Sequence, residues 1–358
     1  MLYAVILAGG VGSRFWPKSS ASNPKQFLQI FGDKSLLQTT AGRVRPLIRQ
    51  DCVYVVTNDR YFDKIREQLP DLPPENLIIE PEARETAAGI GLAAVKLARR
   101  DPHAVMAVLP SDHFIGSEQD FRRCLSWAAE FARTHKMLVT FGIRPTEPKT
   151  GYGYIKMDRL LVNDNGRRAY HVAEFTEKPD FDRALRFLQS GKYLWNSGMF
   201  VWRVQQVLQA YRKHMPEMYR QLAYIYENLG TPDEKEIIRE TYGQMEKLSV
   251  DYAIMEKADN VAVIPADFAW DDVGSWRSVE RFLTHDNSGN IVNGLHVGID
   301  TGRCIIESDD KLVATIGVRD LLIVQTERSI LVADKERDQE IKDLVRRIEK
   351  NQNLREFL

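Results

Sequence analysis

The sequence predicts an α/β fold: a doubly wound, mostly parallel, Rossmann-like sheet, followed by a small C-terminal all-β domain with a terminal helix. Short apolar runs alternate with amphipathic segments through the first half of the chain. A glycine-rich segment directly follows the first apolar run, at the position where such sheets bind ligands. Beyond about residue 286, short β-like runs follow one another without intervening helices. These observations predict two unequal domains.

The first apolar run, Ala4–Leu7, ends in glycines and is predicted to be a buried strand. Two later segments, 86–100 and 118–133, carry apolar residues at helical spacing. The other predicted strands of this half are 53–57, 77–80, 104–109 and 137–143. Strands separated by helices favour parallel pairing in a doubly wound sheet.

The second half is more mixed. Its predicted strands are 172–177, 199–202 and 260–265, and its predicted helices are 180–188 and 204–226. A turn-rich stretch at 284–294 places the domain boundary near residue 285, giving predicted domains 1–285 and 286–358. The short runs that follow are typical of a few rungs of a β-helix, and 334–350 is predicted to be a terminal helix.

Composition and charge exclude some classes of partner. The chain has 358 residues, of which 28% are charged, and its formal net charge is −1. This balance gives no electrostatic reason to expect nucleic acid or a membrane as a partner. The three cysteines form no CxxC pair, which argues against a zinc site and fits a reducing compartment. With no apolar run near the ~20 residues of a membrane span, we expect a cytoplasmic protein.

The segment Gly9–Pro17 (GGVGSRFWP), with Lys25 after it, is the first candidate site. A dinucleotide-binding GxGxxG motif requires glycine where Phe15 stands, and a P-loop requires glycine where Arg14 stands. The remaining interpretations are a tight glycine turn and a phosphate cradle of another kind. In a cradle, glycines bring backbone N–H groups close to phosphate oxygens, while Arg14 and Lys25 supply positive charge.

Two carboxylates are candidates for a metal site. Asp112 follows a predicted buried strand, and Asp272 precedes Val273-Gly274. Each has a simpler explanation, a helix N-cap for Asp112 and an Asx turn for Asp272. Together they could hold Mg²⁺, which binds few protein carboxylates and completes its shell with phosphate oxygens and water. Asp271 is the weaker candidate, because neighbouring residues on an extended chain face opposite ways.

Glu177-Lys178-Pro179 is the third candidate. Alternation along a strand would separate the two charged side chains. A carboxylate suits sugar hydroxyls and a lysine suits a sugar phosphate, although a solvated charge pair at a strand end would have the same sequence.

The motif Gly9–Pro17 with Pro24-Lys25 resembles the signature of nucleotidyltransferases that act on sugar 1-phosphates. Phe15-Trp16 and the following Lys25-Gln26-Phe27 are similar to the mannose-1-phosphate guanylyltransferases in particular. The resemblance extends as far as Trp276 and includes the β appendage. It implies the nucleotide-diphospho-sugar transferase fold. In the segment that resembles the base-reading loop, Glu85 and Ala88 stand where relatives often carry Asn and Pro.

The resemblance also implies site residues. The implied catalytic residues are Arg14, Lys25, Asp112 and Asp272, and the implied metal ligands for Mg²⁺ are Asp112 and Asp272. The implied nucleotide-binding residues are Leu7, Ala8, Gly9, Gly10, Gly12, Ser13, Arg14, Lys25, Glu80, Arg84, Thr86, Ser111 and Asp112. The implied sugar-phosphate-binding residues are Gly153, Glu177, Lys178, Asn196 and Asp272.

The resemblance implies transfer of GMP from GTP to alpha-D-mannose 1-phosphate, giving GDP-mannose and pyrophosphate. The attack would be in line and assisted by Mg²⁺, in an enzyme expected to be a homodimer. The same chemistry with another nucleotide or sugar 1-phosphate stays open, as does a non-catalytic nucleotide-sugar-binding regulatory subunit. A nicotinamide-dependent oxidoreductase is the weakest alternative, because the third glycine of its motif is missing.

Overall fold

The computed structural model describes residues 1–10 and 12–358, and Val11 of the glycine-rich segment lies outside the described residues. The chain forms two compact units. Unit 1 consists of residues 1–9, 40–111 and 115–270. Unit 2 consists of residues 10–39, 112–114 and 271–358. The chain therefore passes between the units several times.

The described residues contain strands of two to eleven residues. They are β1 (Leu2–Leu7), β2 (Val53–Asn58), β3 (Leu77–Glu80), β4 (Val105–Pro110), β5 (Phe114–Ile115), β6 (Leu138–Ile143), β7 (Tyr154–Asp164), β8 (Arg167–Thr176), β9 (Tyr193–Arg203), β10 (Val261–Pro265), β11 (Trp270–Asp271), β12 (Ile291–Asn293), β13 (His296–Ile299), β14 (Ile305–Ser308), β15 (Val313–Ile316), β16 (Leu321–Gln325) and β17 (Ile330–Asp334).

The α-helices are α1 (Leu36–Val44), α2 (Phe62–Gln68), α3 (Glu85–Arg100), α4 (Glu118–His135), α5 (Phe181–Ser190), α6 (Val204–His214), α7 (Pro216–Asn228), α8 (Glu234–Gly243), α9 (Trp276–Glu280) and α10 (Ile341–Lys350). Most α-helices have one buried and one exposed face, whereas α1 and α3 are largely buried. Among the described residues, none of the helices is long and apolar enough to cross a membrane.

Unit 1 is built on a nine-stranded sheet in the order β3-β2-β1-β4-β9-β6-β10-β8-β7. The strands β1 to β4 pair in parallel, and so do β6 and β10. The strand β9 is inserted antiparallel between β4 and β6, which makes the sheet mixed. The predicted α/β class is confirmed, and the parallel strands are the continuous apolar runs expected of strands buried on both faces.

The register of β1 and β4 determines where the chain leaves the sheet. Leu7 pairs with Pro110, so the two strands end side by side. The glycine-rich segment and Ser111-Asp112 therefore start from neighbouring strand ends, which is the position where open α/β sheets bind ligands.

Two predicted helices differ from the structure. The single helix predicted over 204–226 is broken at Met215, because Pro216 has no N–H to continue the ladder and instead begins α7. The terminal helix predicted over 334–350 begins as a 3₁₀ helix over Lys335–Glu340 and becomes α-helical only from Ile341.

Unit 2 contains the β-helix-like rungs. The strands β12, β14 and β16 stack in parallel, and β13 pairs in parallel with β15. The strand β17 adds antiparallel to β16. The side chains of these rungs and of α10 join one apolar core with Phe15, Trp16 and Trp276. The small all-β domain is confirmed as a fold, while the boundary at residue 285 stays a prediction.

A glycine in this unit supplies a test of backbone packing. Gly294 has a φ of +107°, and a Cβ there would lie 2.1 Å from the Ser308 carbonyl oxygen. Gly317 also has a positive φ, of +65°, but its Cβ would meet no atom within 4 Å. We expect Gly317→Ala to cost about 1–3 kcal/mol of backbone strain and Gly294→Ala to cost more, because the backbone must also move. Thermal unfolding measures both, and equal shifts would contradict the assignment.

Candidate active site

The glycine-rich loop is shaped by the close approach of Gly12 to Lys25. Gly12 has a φ of +67° and precedes a short 3₁₀ helix over Ser13–Phe15. A Cβ at Gly12 would lie 2.3 Å from the Lys25 Cβ, so glycine alone permits this packing. Phe15 is buried, with its ring centroid 5.0 Å from that of Trp276. The neighbouring Arg14 is exposed and can meet a ligand.

Lys25 joins the two candidate carboxylate positions. Its side chain is 7% exposed, and its Nζ lies 2.9 Å from Asp112 Oδ2. The same Nζ donates to the Asp272 carbonyl oxygen at 2.7 Å. A buried ammonium needs such partners, because burying an unpaired charge costs on the order of several kcal/mol. Three residues from distant parts of the sequence therefore meet at one point.

The Asp112 carboxyl is ionised and accessible. Its side chain is 32% exposed. Burial alone would raise its pKa, but the Lys25 ammonium and the neighbouring His113 outweigh burial and hold the pKa below its usual value. The carboxylate is therefore anionic at neutral pH and can accept a cation as well as a hydrogen bond.

Asp271 and Asp272 have different surroundings. Asp271 is 4% exposed, forms an ion pair with Arg281 at 2.5 Å and accepts the Val273 N–H at 2.8 Å. Burial and the neighbouring Asp272 carboxylate raise the pKa of Asp271. Asp272 lines a cavity, and its Oδ1 accepts the Gly274 N–H at 3.1 Å. Val273 has a φ of +51°, a strained value for a β-branched residue and one often found at functional sites.

The residues Arg14, Lys25, Asp112 and Asp272 line one cavity of about 350 Å³ within unit 2. Lys342 of α10 lines the same cavity, and the sequence analysis missed it. The apolar spacing of this helix predicted its buried face only. A lysine on the opposite face has no sequence signal that separates it from an ordinary solvated lysine.

Within unit 1, Glu80 lies among glycines at the end of β3. A Cβ at Gly9 would be 3.2 Å from its Oε2, and a Cβ at Gly89 would be 2.8 Å from its Oε1. The Tyr242 hydroxyl donates to Glu80 Oε1. Burial raises the pKa of the Glu80 carboxyl, and the Tyr242 hydrogen bond partly offsets this rise. Glycine at both positions therefore allows the backbone to lie close to this carboxylate.

The other predicted nucleotide-loop residues of unit 1 are bound to one neighbouring segment. Arg84 Nη1 donates to the Met245 carbonyl oxygen at 3.1 Å, and its Nη2 donates to the Gly243 carbonyl oxygen. Thr86 Oγ1 accepts the Val250 N–H at 2.9 Å. The structure thus uses these two side chains to hold the loop in place.

Gly153, Glu177 and Asn196 come together in unit 1. A Cβ at Gly153 would lie 2.4 Å from Glu177 Oε2 and 3.1 Å from the Asn196 Cβ, so this approach requires glycine. The Asn196 side chain is oriented at both ends: its Oδ1 accepts the Gly198 N–H at 3.1 Å, and its Nδ2 donates to Asp251 at 2.9 Å. The three predicted sugar-site residues therefore form one cluster.

Lys178 differs from the sequence expectation. The strand β8 ends at Thr176, and Lys178 has a φ of +47°. Its Nζ consequently turns back to lie 3.0 Å from Glu177 Oε1. Alternation along a strand predicted that these two side chains face apart, and this was wrong because the strand ends before them.

Asp251 is a second residue that the sequence analysis missed. It begins the π-helix Asp251–Met255, a rare element that is frequent at functional sites. Burial and the nearby Glu177 carboxylate raise the pKa of Asp251 to about 7. No spacing or motif distinguished this carboxylate from a solvated one.

The predicted residues are distributed over both units. In unit 2 lie Gly10, Gly12, Ser13, Arg14, Lys25, Asp112 and Asp272, and in unit 1 lie Leu7, Ala8, Gly9, Glu80, Arg84, Thr86, Ser111, Gly153, Glu177, Lys178 and Asn196. The backbone of Leu7 accepts the Ser111 N–H at 3.1 Å. Residues 1–10 and 12–358 contain no cluster of three or more His, Cys, Asp or Glu side chains arranged to hold a metal ion.

Comparison with protein families gives two matches. Residues 3–288 match the nucleotidyl transferase family. Residues 294–348 match a MannoseP isomerase/GMP-like beta-helix domain. An Escherichia coli protein named mannose-1-phosphate guanylyltransferase is 40% identical over 356 residues, which cover 98% of this chain and 75% of that protein.

Two solved structures are also similar. A Thermus thermophilus protein described as a mannose-1-phosphate geranyltransferase has a TM-score of 0.87 and 33% identity, covering 97% of this chain and 99% of that one. A Helicobacter pylori protein described as a mannose-6-phosphate isomerase has a TM-score of 0.61 and 27% identity, covering 75% of this chain and 99% of that one. These descriptions name different reactions, so the shared fold alone does not determine the chemistry.

The raised pKa of Asp251 predicts a pH dependence of stability. Its carboxyl holds a proton more tightly in the folded chain than in the unfolded one, whose pKa is about 4. The free energy of unfolding should therefore fall as pH rises from about 4 to the folded pKa of about 7. Asp251→Asn removes this pH-dependent loss of stability, and its amide oxygen can still accept the hydrogen bond from Asn196 Nδ2. We expect the variant to gain roughly 1–3 kcal/mol over the parent between pH 5 and pH 8.

Urea unfolding at several pH values measures this difference. Asp33→Asn is the matched control, because Asp33 is exposed and distant in sequence from the cluster. Parallel pH profiles for the parent and Asp251→Asn would show that burial of this carboxyl does not affect stability.

Proposed function

The chain belongs to the nucleotidyl transferase family and, within it, to the mannose-1-phosphate guanylyltransferases, and on this premise we propose that it transfers GMP from GTP to alpha-D-mannose 1-phosphate, giving GDP-mannose and pyrophosphate. The observation that carries the proposal is the position of Lys25 Nζ, 2.9 Å from the Asp112 carboxylate and 2.7 Å from the Asp272 carbonyl. Through this one ammonium, the proposed phosphate-binding loop contacts both candidate metal ligands.

The charges of the cavity support a polyphosphate substrate. Arg14, Lys25 and Lys342 bring three cationic side chains to one cavity of about 350 Å³. Phosphate oxygens are the anions that such groups bind. A geranyl group, the group named for the Thermus thermophilus relative, is apolar and would find no matching surface among these cations.

The donor set of the cavity fits a divalent cation. Asp112 supplies an ionised, accessible carboxylate, and Asp272 supplies a second one that lines the same cavity. We propose that these two residues hold Mg²⁺, since Mg²⁺ binds one or two carboxylates and takes its remaining ligands from phosphate oxygens and water. The cation, when bound, would neutralise charge on the phosphates.

The proposed reaction needs no general base. The attacking oxygen belongs to the sugar phosphate and is already anionic near neutral pH. In an in-line displacement, a new bond forms between this oxygen and the α-phosphorus, while the bond from the α-phosphorus to the pyrophosphate oxygen breaks. Arg14 then stabilises the departing pyrophosphate, and Lys25 neutralises charge around the α-phosphorus. Catalysis therefore rests on positioning and electrostatic stabilisation.

The surroundings of Glu80 support guanine as the base. The Watson–Crick edge of guanine carries two adjacent donors, N1–H and the 2-amino group. A carboxylate has acceptor oxygens for both. Gly9 and Gly89 allow the backbone to lie close to the Glu80 carboxylate, because side chains at either position would collide with its oxygens. This physical argument supports guanine although Glu85 and Ala88 depart from the residues common in relatives.

The cluster around Gly153 supports a sugar phosphate as the acceptor. Glu177 and Asn196 offer hydroxyl-binding groups, and Lys178 lies beside them with a positive charge. Specificity for another base or sugar 1-phosphate is the second candidate. The homodimer and the cytoplasmic location stay predictions.

Substitution of Asp272 tests the metal proposal. We expect Asp272→Asn to lower kcat at least 100-fold, equivalent to about 2.7 kcal/mol of transition-state stabilisation. The fold should be retained, because the amide keeps an acceptor for the Gly274 N–H. Pyrophosphate release measures turnover, and Asp33→Asn in the same unit is the control. Near-normal turnover in a folded Asp272→Asn protein would overturn the assignment.

A substrate matrix tests specificity. We expect GTP with mannose 1-phosphate to give the highest kcat/KM among four nucleoside triphosphates and several sugar 1-phosphates. For Glu80→Gln we expect kcat/KM for GTP to fall about 10–100-fold, because one guanine donor then faces an amide N–H₂. The preference for GTP over ITP, which lacks the 2-amino group, should also fall.

The neighbouring Glu82→Gln is the matched control, because Glu82 pairs with Arg84 and its side chain is 57% exposed. If another pair gave a higher kcat/KM than GTP with mannose 1-phosphate, the proposed substrates would be wrong. The proposed class of reaction would still stand. An unchanged GTP-to-ITP ratio in Glu80→Gln would remove Glu80 from base recognition.

A further inference from the structure

One cavity in unit 1 has no part in the proposed reaction. It has a volume of about 980 Å³ and lies between α4, the ends of β6 and β10, and the tip of the β7–β8 hairpin. None of its lining residues is among the residues predicted to bind nucleotide, sugar phosphate or metal. Its volume is in the range of small-molecule sites, which are roughly 300–1,000 Å³.

The cavity is rich in arginine. Three of its arginines are neutralised by carboxylates: Arg122 lies 3.1 Å from Glu118, Arg167 lies 2.9 Å from Asp164, and Arg123 pairs with Asp120, which also lines the cavity. The full set is Arg122, Arg123, Arg144, Arg167 and Arg168. Two of the five arginines, Arg144 and Arg168, are not in these ion pairs.

Arg144 and Arg168 have a different environment. Both side chains are exposed, and neither forms an ion pair or a hydrogen bond with any residue in the described part of the chain. Arg144 directly follows β6, and Arg168 is the second residue of β8. Asp267 also lines the cavity and lies near the Cys124 thiol. Burial is the main cause that raises the pKa of this thiol, and the Asp267 carboxylate raises it further. Two guanidinium groups therefore remain available for an anion.

Aromatic side chains supply the other part of the cavity. Tyr170 is half-buried, whereas Trp127 is 9% exposed and Phe268 is 3% exposed, and the Arg167 guanidinium lies over the Trp127 ring, 5.9 Å from its centroid. The Tyr170 ring is therefore the aromatic surface on which another ring can stack. The combination of unpaired arginines with an aromatic wall is suited to a ligand that is both anionic and planar.

From this combination we infer that the cavity is a second ligand site, separate from the proposed transfer reaction, for a nucleoside diphosphate. Arg144 and Arg168 bind the diphosphate with their paired N–H groups, and the base stacks against Tyr170. A lone phosphate would use the two arginines but fill only a small part of the cavity. The inference does not depend on which nucleotide or sugar the enzyme uses.

Calorimetric titration of the full chain with GDP tests the inference. We expect two binding sites per chain. In Arg144→Gln/Arg168→Gln, one site should weaken at least tenfold, while the site that depends on Arg14 remains. In Arg14→Ala the reverse should hold, so failure of the proposed active site and failure of this site give different results. Arg168→Gln alone serves if the double variant does not fold.

Arg159→Gln is the matched control. Arg159 is exposed on the same hairpin but does not line the cavity, so both sites should persist. A single GDP site in the parent protein that is lost in Arg14→Ala, or two unchanged sites in the double variant, would overturn the inference. Inorganic phosphate that displaces GDP from the second site at equal concentration would show that the planar ring contributes nothing, and would also overturn it.

Discussion

The Lys25 ammonium lies buried between the Asp112 carboxylate and the Asp272 carbonyl. The arrangement of unit 2 around the glycine-rich loop depends on these two contacts, because they keep the buried charge paired. The contact requires glycine at position 12, because any Cβ there would collide with the lysine. It keeps Asp112 ionised against the effect of burial. The same contact places an anionic group and cationic groups in one cavity, which is the balance that a phosphate substrate with a divalent cation needs.

In unit 1 a comparable constraint comes from the segment between Tyr242 and Asp251. Its first part contacts Glu80 and Arg84 in the proposed base loop. Its last residue, Asp251, holds the Asn196 amide in the proposed sugar cluster. One continuous stretch of backbone therefore positions groups in both the proposed base loop and the proposed sugar cluster, so a displacement of this segment would affect base and sugar binding together.

Much of the fold could be predicted because its signals are local. Apolar runs such as Ala4–Leu7 carry the strand pattern within a few residues, and the first glycines mark where a strand ends. The errors arose where a single residue changed the local conformation. Pro216 divided a helix whose apolar spacing continued across it, and the positive φ of Lys178 brought together two side chains that strand alternation would separate.

The sequence by itself determined the α/β class, the β-rung appendage and the candidate loop Gly9–Lys25, because strand periods, glycine spacing and motif residues are properties of neighbouring positions. Only the tertiary structure decided that Lys25 contacts Asp112 and Asp272, that Lys342 lines the same cavity, and that Asp251 supports Asn196. These contacts join residues separated by many positions, and the burial that alters their charges exists only once the chain has folded.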